Sequence, residues 1–342
     1  MNPKTDKNIS FFFIMRNFLL VWITFFIFSC AEPNPMDSYV RIPPDRSAEG
    51  NDEDEGDGAG GLFAKGYGTQ NKPYMIMTAI HLQNMHEVLV NGKMIYFELG
   101  ADIDMANVAW SPLNGASPYE KYIDLEGRNH VIKNFTCIGT SDYPSFFGVL
   151  CGECRNVGFE DAYVESKNQG SGIIAGYIGL ASGDSEKTGR VINCFTTGQI
   201  KAPGSAGGIG GILCGTLGNA TSYIKNTYSH ATVMDIIANN SGKSGGIIGR
   251  ARGIGGYIEN CYATGDVSVS GDGNVGGIFG LADKGTSIIL KNCIAWNNSL
   301  TGKSKSKIGR IACSANTASS DCYASNDIIL NAGDEVFTVY DE

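Results

Sequence analysis

Few side chains in this sequence are spaced for chemistry. Asp102 and Asp104 stand two residues apart, so an extended chain puts both carboxylates on one face, a spacing that an acid and a base at a glycosidic bond could use. Cys151-Gly152-Glu153-Cys154 offers one C-x-x-C pair, but a tetrahedral metal site needs a second pair and none follows. A local disulfide and two idle buried thiols both stay open for it. Asp161, Lys201, Asp235, Asp266 and Asp272 are scattered, and His230 has no evident carboxylate partner. Enzymes that cut acidic polysaccharides gather carboxylates around a Lys, Arg or His, and no such gathering is legible. The glycine-rich run 207–215 lacks the Lys-Ser/Thr ending of a phosphate loop. No catalytic residue, metal ligand or cofactor is assigned, and the chain reads as a non-enzyme.

What must hold these residues is a repeat. An element reading apolar-x-Asn-Cys-aromatic runs through Val191–Phe195, Ile224–Tyr228, Ile258–Tyr262 and Leu290–Ile294. A worn copy begins at Asn156, and a truncated one ends at Asp321-Cys322-Tyr323. Its asparagines, Asn193, Asn226, Asn260 and Asn292, lie 33, 34 and 32 residues apart. A glycine-rich second element follows each copy, at Ile174–Gly179, Ile209–Cys214, Ser244–Gly249, Val275–Gly280 and Ile308–Cys313. Units of about 33 residues built from short β-rich stretches cannot bury an apolar face alone, so they must stack. The predicted fold is all-β, a parallel β-helix whose coils sit about 4.8 Å apart. Equivalent asparagines would then bond amide to amide at a corner. A β-propeller is the alternative, but a blade needs four strands and these units hold about three.

The repeat supplies the candidate binding feature. Phe195, Tyr228, Tyr262 and Tyr323 share one position, with Ile294 between the last two. Small residues flank them, so if those point inward the rings point out. A ladder of exposed rings could contact flat sugar faces; equally, the rings could stack on one another and shield the coil. Cys194, Cys261, Cys293 and Cys322 fill the preceding slot, where Thr227 stands in one coil, so the slot reads as selecting size rather than sulfur. A Cys261–Cys293 bridge between adjacent coils stays open.

Composition sets the compartment and the partners. Of 342 residues 46 are Gly, 42% are hydrophobic, and only 18% are charged, which excludes wholesale disorder. The formal charge is -9, so an anionic nucleic acid is not an expected partner. Lys4, Lys7 and Arg16 precede an apolar run from Phe18 to Phe28, and Ser29-Cys30 follows. That order describes a secretory signal, and it resembles a bacterial lipobox in which Cys30 receives lipid. A one-pass anchor starting near Phe11 is the alternative. Residues 1–29 are thus read as a signal peptide and 30–60 as an acidic, proline-containing tether. Residues 61–150 form an N-terminal cap and first coils, and 151–342 the repeats. Within the cap, Leu82, Met85 and Leu89 at helical spacing after Thr78 predict one short capping helix with Thr78 as N-cap.

The order from Gly66-Tyr67-Gly68-Thr69 to Pro73-Tyr74-Met75-Ile76 and Thr78, then Ala101-Asp102-Ile103-Asp104-Met105, then Leu125 to Asn134, resembles bacterial proteins with GLUG-type repeats. Asn260-Cys261-Tyr262-Ala263-Thr264-Gly265-Asp266-Val267 matches their repeat most fully. The resemblance covers about 66 to 325. It implies a right-handed β-helix, export, commonly as a lipoprotein of gut-type Bacteroidetes, and structural turn roles for Asp102 and Asp104. Cys214, Arg310 and Cys313 depart from the pattern, as does His81 where a capping-box Glu is expected. The expectation is a lipid-anchored protein of the outer membrane with a non-catalytic binding or adhesion role, toward a glycan or a surface protein. A carbohydrate-active enzyme and a structural spacer or assembly subunit are the alternatives.

Overall fold

A computed structural model of the chain describes residues 57–139, 143–167, 170–180, 187–215, 221–236, 242–253, 256–313, 317–333 and 335–337. The segment read as a signal peptide, Cys30 and the acidic run to residue 56 lie outside them. The described chain is a parallel β-solenoid, as the repeats require. Short strands pair in register from coil to coil in 13-, 14- and 5-stranded sheets. The first wall stacks Tyr122–Glu126, Gly189–Ile192, Tyr223–Lys225, Tyr257–Glu259 and Ile288–Lys291. Its inward column is Val191, Ile224, Ile258 and Leu290, each directly above the last and fully buried. Each such side chain contributes about 1.5–3 kcal/mol by leaving water, and the stack makes them one continuous core. A long strand, Phe147–Arg155, belongs to two walls: its first half pairs with Ala175–Ile178 and its second half with Gly189–Ile192. Gly152 sits at the junction with φ 124°, and a Cβ there would lie 2.1 Å from the Ile123 carbonyl oxygen, so only glycine fits the change of course.

The asparagines form the expected corner ladder. Asn156, Asn193, Asn226, Asn260 and Asn292 all take the left-handed conformation, with φ between 50° and 55°, which Asn tolerates better than most residues. The amide of each of the last four donates to the side-chain oxygen one coil back, at 2.8–3.0 Å. The ladder therefore has a direction. It begins on Glu126, whose two carboxylate oxygens accept from Asn156 at 3.0 Å. It ends at Asp321, which keeps the left-handed backbone but has no side-chain donor.

The slot after each asparagine selects for more than size. Cys194 Sγ donates to the Ile192 carbonyl, Cys261 to Glu259, Cys293 to Lys291, and Thr227 Oγ1 to Lys225. Thiol and hydroxyl both give the carbonyl two residues back a second donor, beside the asparagine N–H of the coil before, and Thr227 also accepts the Cys194 N–H at 3.2 Å. The nine cysteines among the described residues are thiols. Cys151 and Cys154 face opposite sides of their wall, one in an outer cluster with Tyr177 and Ile212, the other in the main core. That orientation accounts for the absence of a local bridge. Burial pushes the Cys151 thiol up to about 12, so it is an inert thiol.

One sequence alignment needs correction. The second elements at Ile209 and Ser244 do not superpose as written. Gly207 pairs with Gly245 and Gly210 with Ile248, three residues off. The run 207–212 contains Gly-Gly-Ile twice, and a shift of three matches either copy.

The helix Ala79–Val88 covers the first coil, with Leu82 and Met85 buried. Thr78 Oγ1 accepts the His81 N–H at 3.3 Å. His81 does the work of the missing Glu: its Nδ1 accepts the Met77 N–H at 3.1 Å, one residue earlier than a capping box would. At the other end the strand Glu335–Phe337 folds back antiparallel on Ile329–Ala332, and Ile329 and Val336 stay exposed.

Candidate functional site: a tyrosine cleft

Outside the core, one wall carries a second apolar cluster. Val149, Tyr177, Ile212 and Arg250 form an outward column in register. Cys214 and Arg252 are paired in the next outward column. Tyr119 and Tyr143 lean over this face, and the walls enclose an open cleft of about 180 Å³ lined by Tyr119, Tyr143, Val149, Tyr177, Leu180, Cys214 and Arg252. The Tyr143 and Tyr177 rings meet edge to face at 4.5 Å, and Tyr119 lies 6.5 Å from Tyr143. Tyr119 and Tyr143 have φ 56° and 58°. A bulky residue there costs about 1–2 kcal/mol, and such strain concentrates at sites that use the side chain. Burial and a hydrogen bond with Tyr143 hold the Tyr177 phenol well above its ordinary range, so it stays protonated.

Arg252 reaches back across the coil of Cys214 and donates from Nη1 to the Tyr177 hydroxyl at 3.0 Å. Its neighbour Arg250 grips Asp283 with both arms, Nε to Oδ1 and Nη2 to Oδ2, each at 2.7 Å. Arg252 Nε approaches the same carboxylate only at 3.4 Å. Burial pushes the Asp283 carboxyl up, but the arginine hydrogen bonds and charges outweigh it and hold it below the usual range.

The ring ladder expected from the sequence is present, with its faces occupied. Phe195 stacks on Tyr228 at 5.3 Å and Tyr228 on Tyr262 at 4.8 Å, within 8° of parallel. Below, Phe195 lies on the bare backbone of Gly158, where a Cβ would come within 2.3 Å of the ring. Ile294 pairs above Tyr262. Tyr323, 65% exposed, is separated from the others by Ile294. His230 packs its edge on Tyr228 and Tyr262 and bonds the Thr264 hydroxyl.

Asp102 and Asp104 bind the coil above. Asp102 accepts the Val131 N–H and bonds His130, both at 3.1 Å, while Asp104 accepts from Asn134 at 2.8 Å and Ala106 N–H at 2.9 Å. Those hydrogen bonds lower both carboxyls, led by the Val131 N–H for Asp102 and the Asn134 amide for Asp104. Lys201 lies over the Tyr163 ring, Asp266 accepts from Ser299, Asp272 pairs with Lys307, Asp161 takes the left-handed conformation with φ 52°, and Asp235 is buried.

The expectation that no carboxylates cluster on one coil face is overturned. Asp124, Glu126 and Glu153 meet on the outside of the first wall, each within 2.8 Å of Arg155. Register brings them together: Asp124 pairs with Glu153 and Glu126 with Arg155, residues about 30 apart in sequence. Burial raises the Asp124 carboxyl, with Glu153 adding to the effect and Arg155 opposing it.

The geometry thus defines a β-solenoid with a side-wall cleft. Comparison with known proteins narrows the class. A Bacteroides ovatus protein solved as a crystal structure and named a "putative immunoglobulin A1 protease" is 50% identical, with a TM-score of 0.80 over 90% of this chain and 87% of that one. This chain belongs to the same β-solenoid family as that protein. A protein of Evansella cellulosilytica, named a "Putative Gly-rich membrane protein", is 33% identical over 113 residues; the match takes in 30% of this chain and 13% of that protein's length. No known family profile matches the chain, so the GLUG-type resemblance rests on the motifs alone.

Proposed function

We propose that this chain is a non-catalytic binding protein held at the cell envelope, with the solenoid as rigid scaffold and the tyrosine cleft as the site for a glycan. The observation that carries the reading is the convergence of Tyr119, Tyr143 and Tyr177, two of them in a costly backbone conformation, around one open concavity. Aromatic walls with a few aimed polar groups are how small-ligand sites are commonly built. Lipid attachment at Cys30 would put the scaffold at the outer membrane, and among the described residues no helix is long and apolar enough to cross a membrane. The Phe195–Tyr228–Tyr262 stack is the weaker candidate for sugar contact, because its ring faces are spent on each other.

A second reading, hydrolytic activity, is favoured by the name of the B. ovatus relative and by the Asp124–Glu126–Glu153 group. One assay separates the two. The full chain, purified in detergent, is offered immobilised plant and host polysaccharides and, separately, immunoglobulin A1. Retention on a polysaccharide without chain cleavage, lost in Tyr177→Ala and kept in Tyr228→Ala, supports the proposal. Cleavage of either substrate, abolished by Asp124→Asn, overturns it in favour of the enzyme. Retention lost only in Tyr228→Ala moves the site to the ring ladder.

A further inference from the structure

We infer that the ligand of the tyrosine cleft is an acidic sugar, and that Arg252 receives its carboxylate; this rests on the glycan reading above. Three cations, Lys243, Arg250 and Arg252, share the single carboxylate of Asp283 among the described residues. Both oxygens of Asp283 are already engaged at short distance by the two-armed grip of Arg250. Arg252 is therefore left with one long contact through Nε and one neutral acceptor, the Tyr177 hydroxyl, through Nη1. Its Nη2 has no partner among the described residues. The side chain is 41% exposed and lines the cleft.

A guanidinium held in place on two sides, lining an aromatic concavity and with Nη2 unpartnered among the described residues, suits a planar anion. The sign is against the trend of the molecule, whose formal charge is -9. Among the described residues the cations here outnumber the carboxylates, which favours an anionic ligand: a neutral sugar could accept a hydrogen bond from the guanidinium but would not neutralise its charge. Tyr177 has a further part here. Its hydroxyl orients Arg252, so the ring that packs against the sugar also fixes the donor that reads its charge.

The chemistry admits two sources of carboxylate on a sugar, a uronic acid and a sialic acid. The test uses one matched pair for each: polygalacturonate against its fully methyl-esterified form, and 3′-sialyllactose against lactose. Binding to the full chain in detergent is measured by titration calorimetry at constant salt. The expected result is that the acidic member of at least one pair binds about tenfold or more tighter. Arg252→Gln should erase that preference without changing the melting temperature, and Arg252→Lys should restore part of it. Which pair responds identifies the source. Equal affinity for acidic and neutral members, unaffected by Arg252→Gln but lost in Tyr177→Ala, overturns the acidic-sugar inference and leaves the glycan reading standing. No binding to any of the four probes overturns both.

Discussion

Asn226→Ala is the sharpest perturbation of the solenoid. The substitution deletes two ladder hydrogen bonds, the one Asn226 donates to Asn193 at 3.0 Å and the one it accepts from Asn260 at 2.9 Å. Both are solvent-exposed, so each contributes at the low end, about 0.5 kcal/mol. The residue also sits at φ 50°, where Ala loses about 1 kcal/mol relative to Asn. The sum is about 2 kcal/mol. Asn226→Gly accepts the backbone freely and loses only the bonds, so about 1 kcal/mol is expected. Because the ladder has a direction, its end makes the opposite prediction. Asp321→Asn supplies the missing donor toward Asn292 and should stabilise the last coil by about 0.5 kcal/mol. Urea unfolding followed by circular dichroism measures the Asn226 pair. Hydrogen exchange at Tyr323 and Ala324 measures the Asp321 variant, because a terminal coil opens locally before the whole. A Gly variant no better than the Ala variant would refute the backbone term. Slower exchange in Asp321→Ala than in Asp321→Asn would refute the ladder's polarity.

Two further outcomes follow from contacts already described. Thr227→Val keeps the volume of a buried side chain but leaves the Cys194 N–H without its acceptor and the Lys225 carbonyl with the Asn193 N–H alone, at a cost of about 1–2 kcal/mol; Thr227→Cys should be closer to neutral, and chemical denaturation of the two variants side by side decides whether a donor or mere size is required. The Asp283 carboxyl is held below its ordinary value, so its contribution to stability is complete above about pH 4 and is lost as pH falls through its own lower value. Asp124, raised by burial, has the opposite sign and favours the folded state as it takes up a proton. Melting temperatures between pH 2 and 6 should therefore show a shallower acid slope in Asp283→Asn and a steeper one in Asp124→Asn.

The solenoid was legible because its physics is periodic. A column such as Val191, Ile224, Ile258 and Leu290 writes itself into the sequence at the coil spacing, and the same spacing exposed the asparagine corner and the donor slot. The capping helix was legible for a local reason, three apolar residues at helical spacing behind a threonine. The Arg155 cluster was hidden because its members occupy different coils without repeating a residue type: Asp124, Glu153 and Arg190 follow one another in one column. The cleft was hidden twice over. Tyr119 and Tyr143 come from segments outside the repeat. The doubled Gly-Gly-Ile then placed Cys214 against Gly249, whereas the wall sets it against Arg252. Cys214 stood out as a departure from the pattern, and that was the one sequence signal pointing to this face.

The two kinds of residue divide the work. Positions that repeat fix the distance and register between coils, and positions that break the repeat use that fixed frame to converge. Tyr177, Cys214 and Arg252 are spread over 75 residues, yet each needs only its own strand to be in register with the next. Arg250 and Arg252 face outward while Ala251 between them is buried. A slip of one residue in that strand would turn both arginines into the core and Ala251 out. Burying two uncompensated guanidinium groups is far costlier than any gain from exposing a methyl. The arginines therefore bear on the register as well as on the cleft: any slip that reverses the alternation of this strand is excluded by their charge.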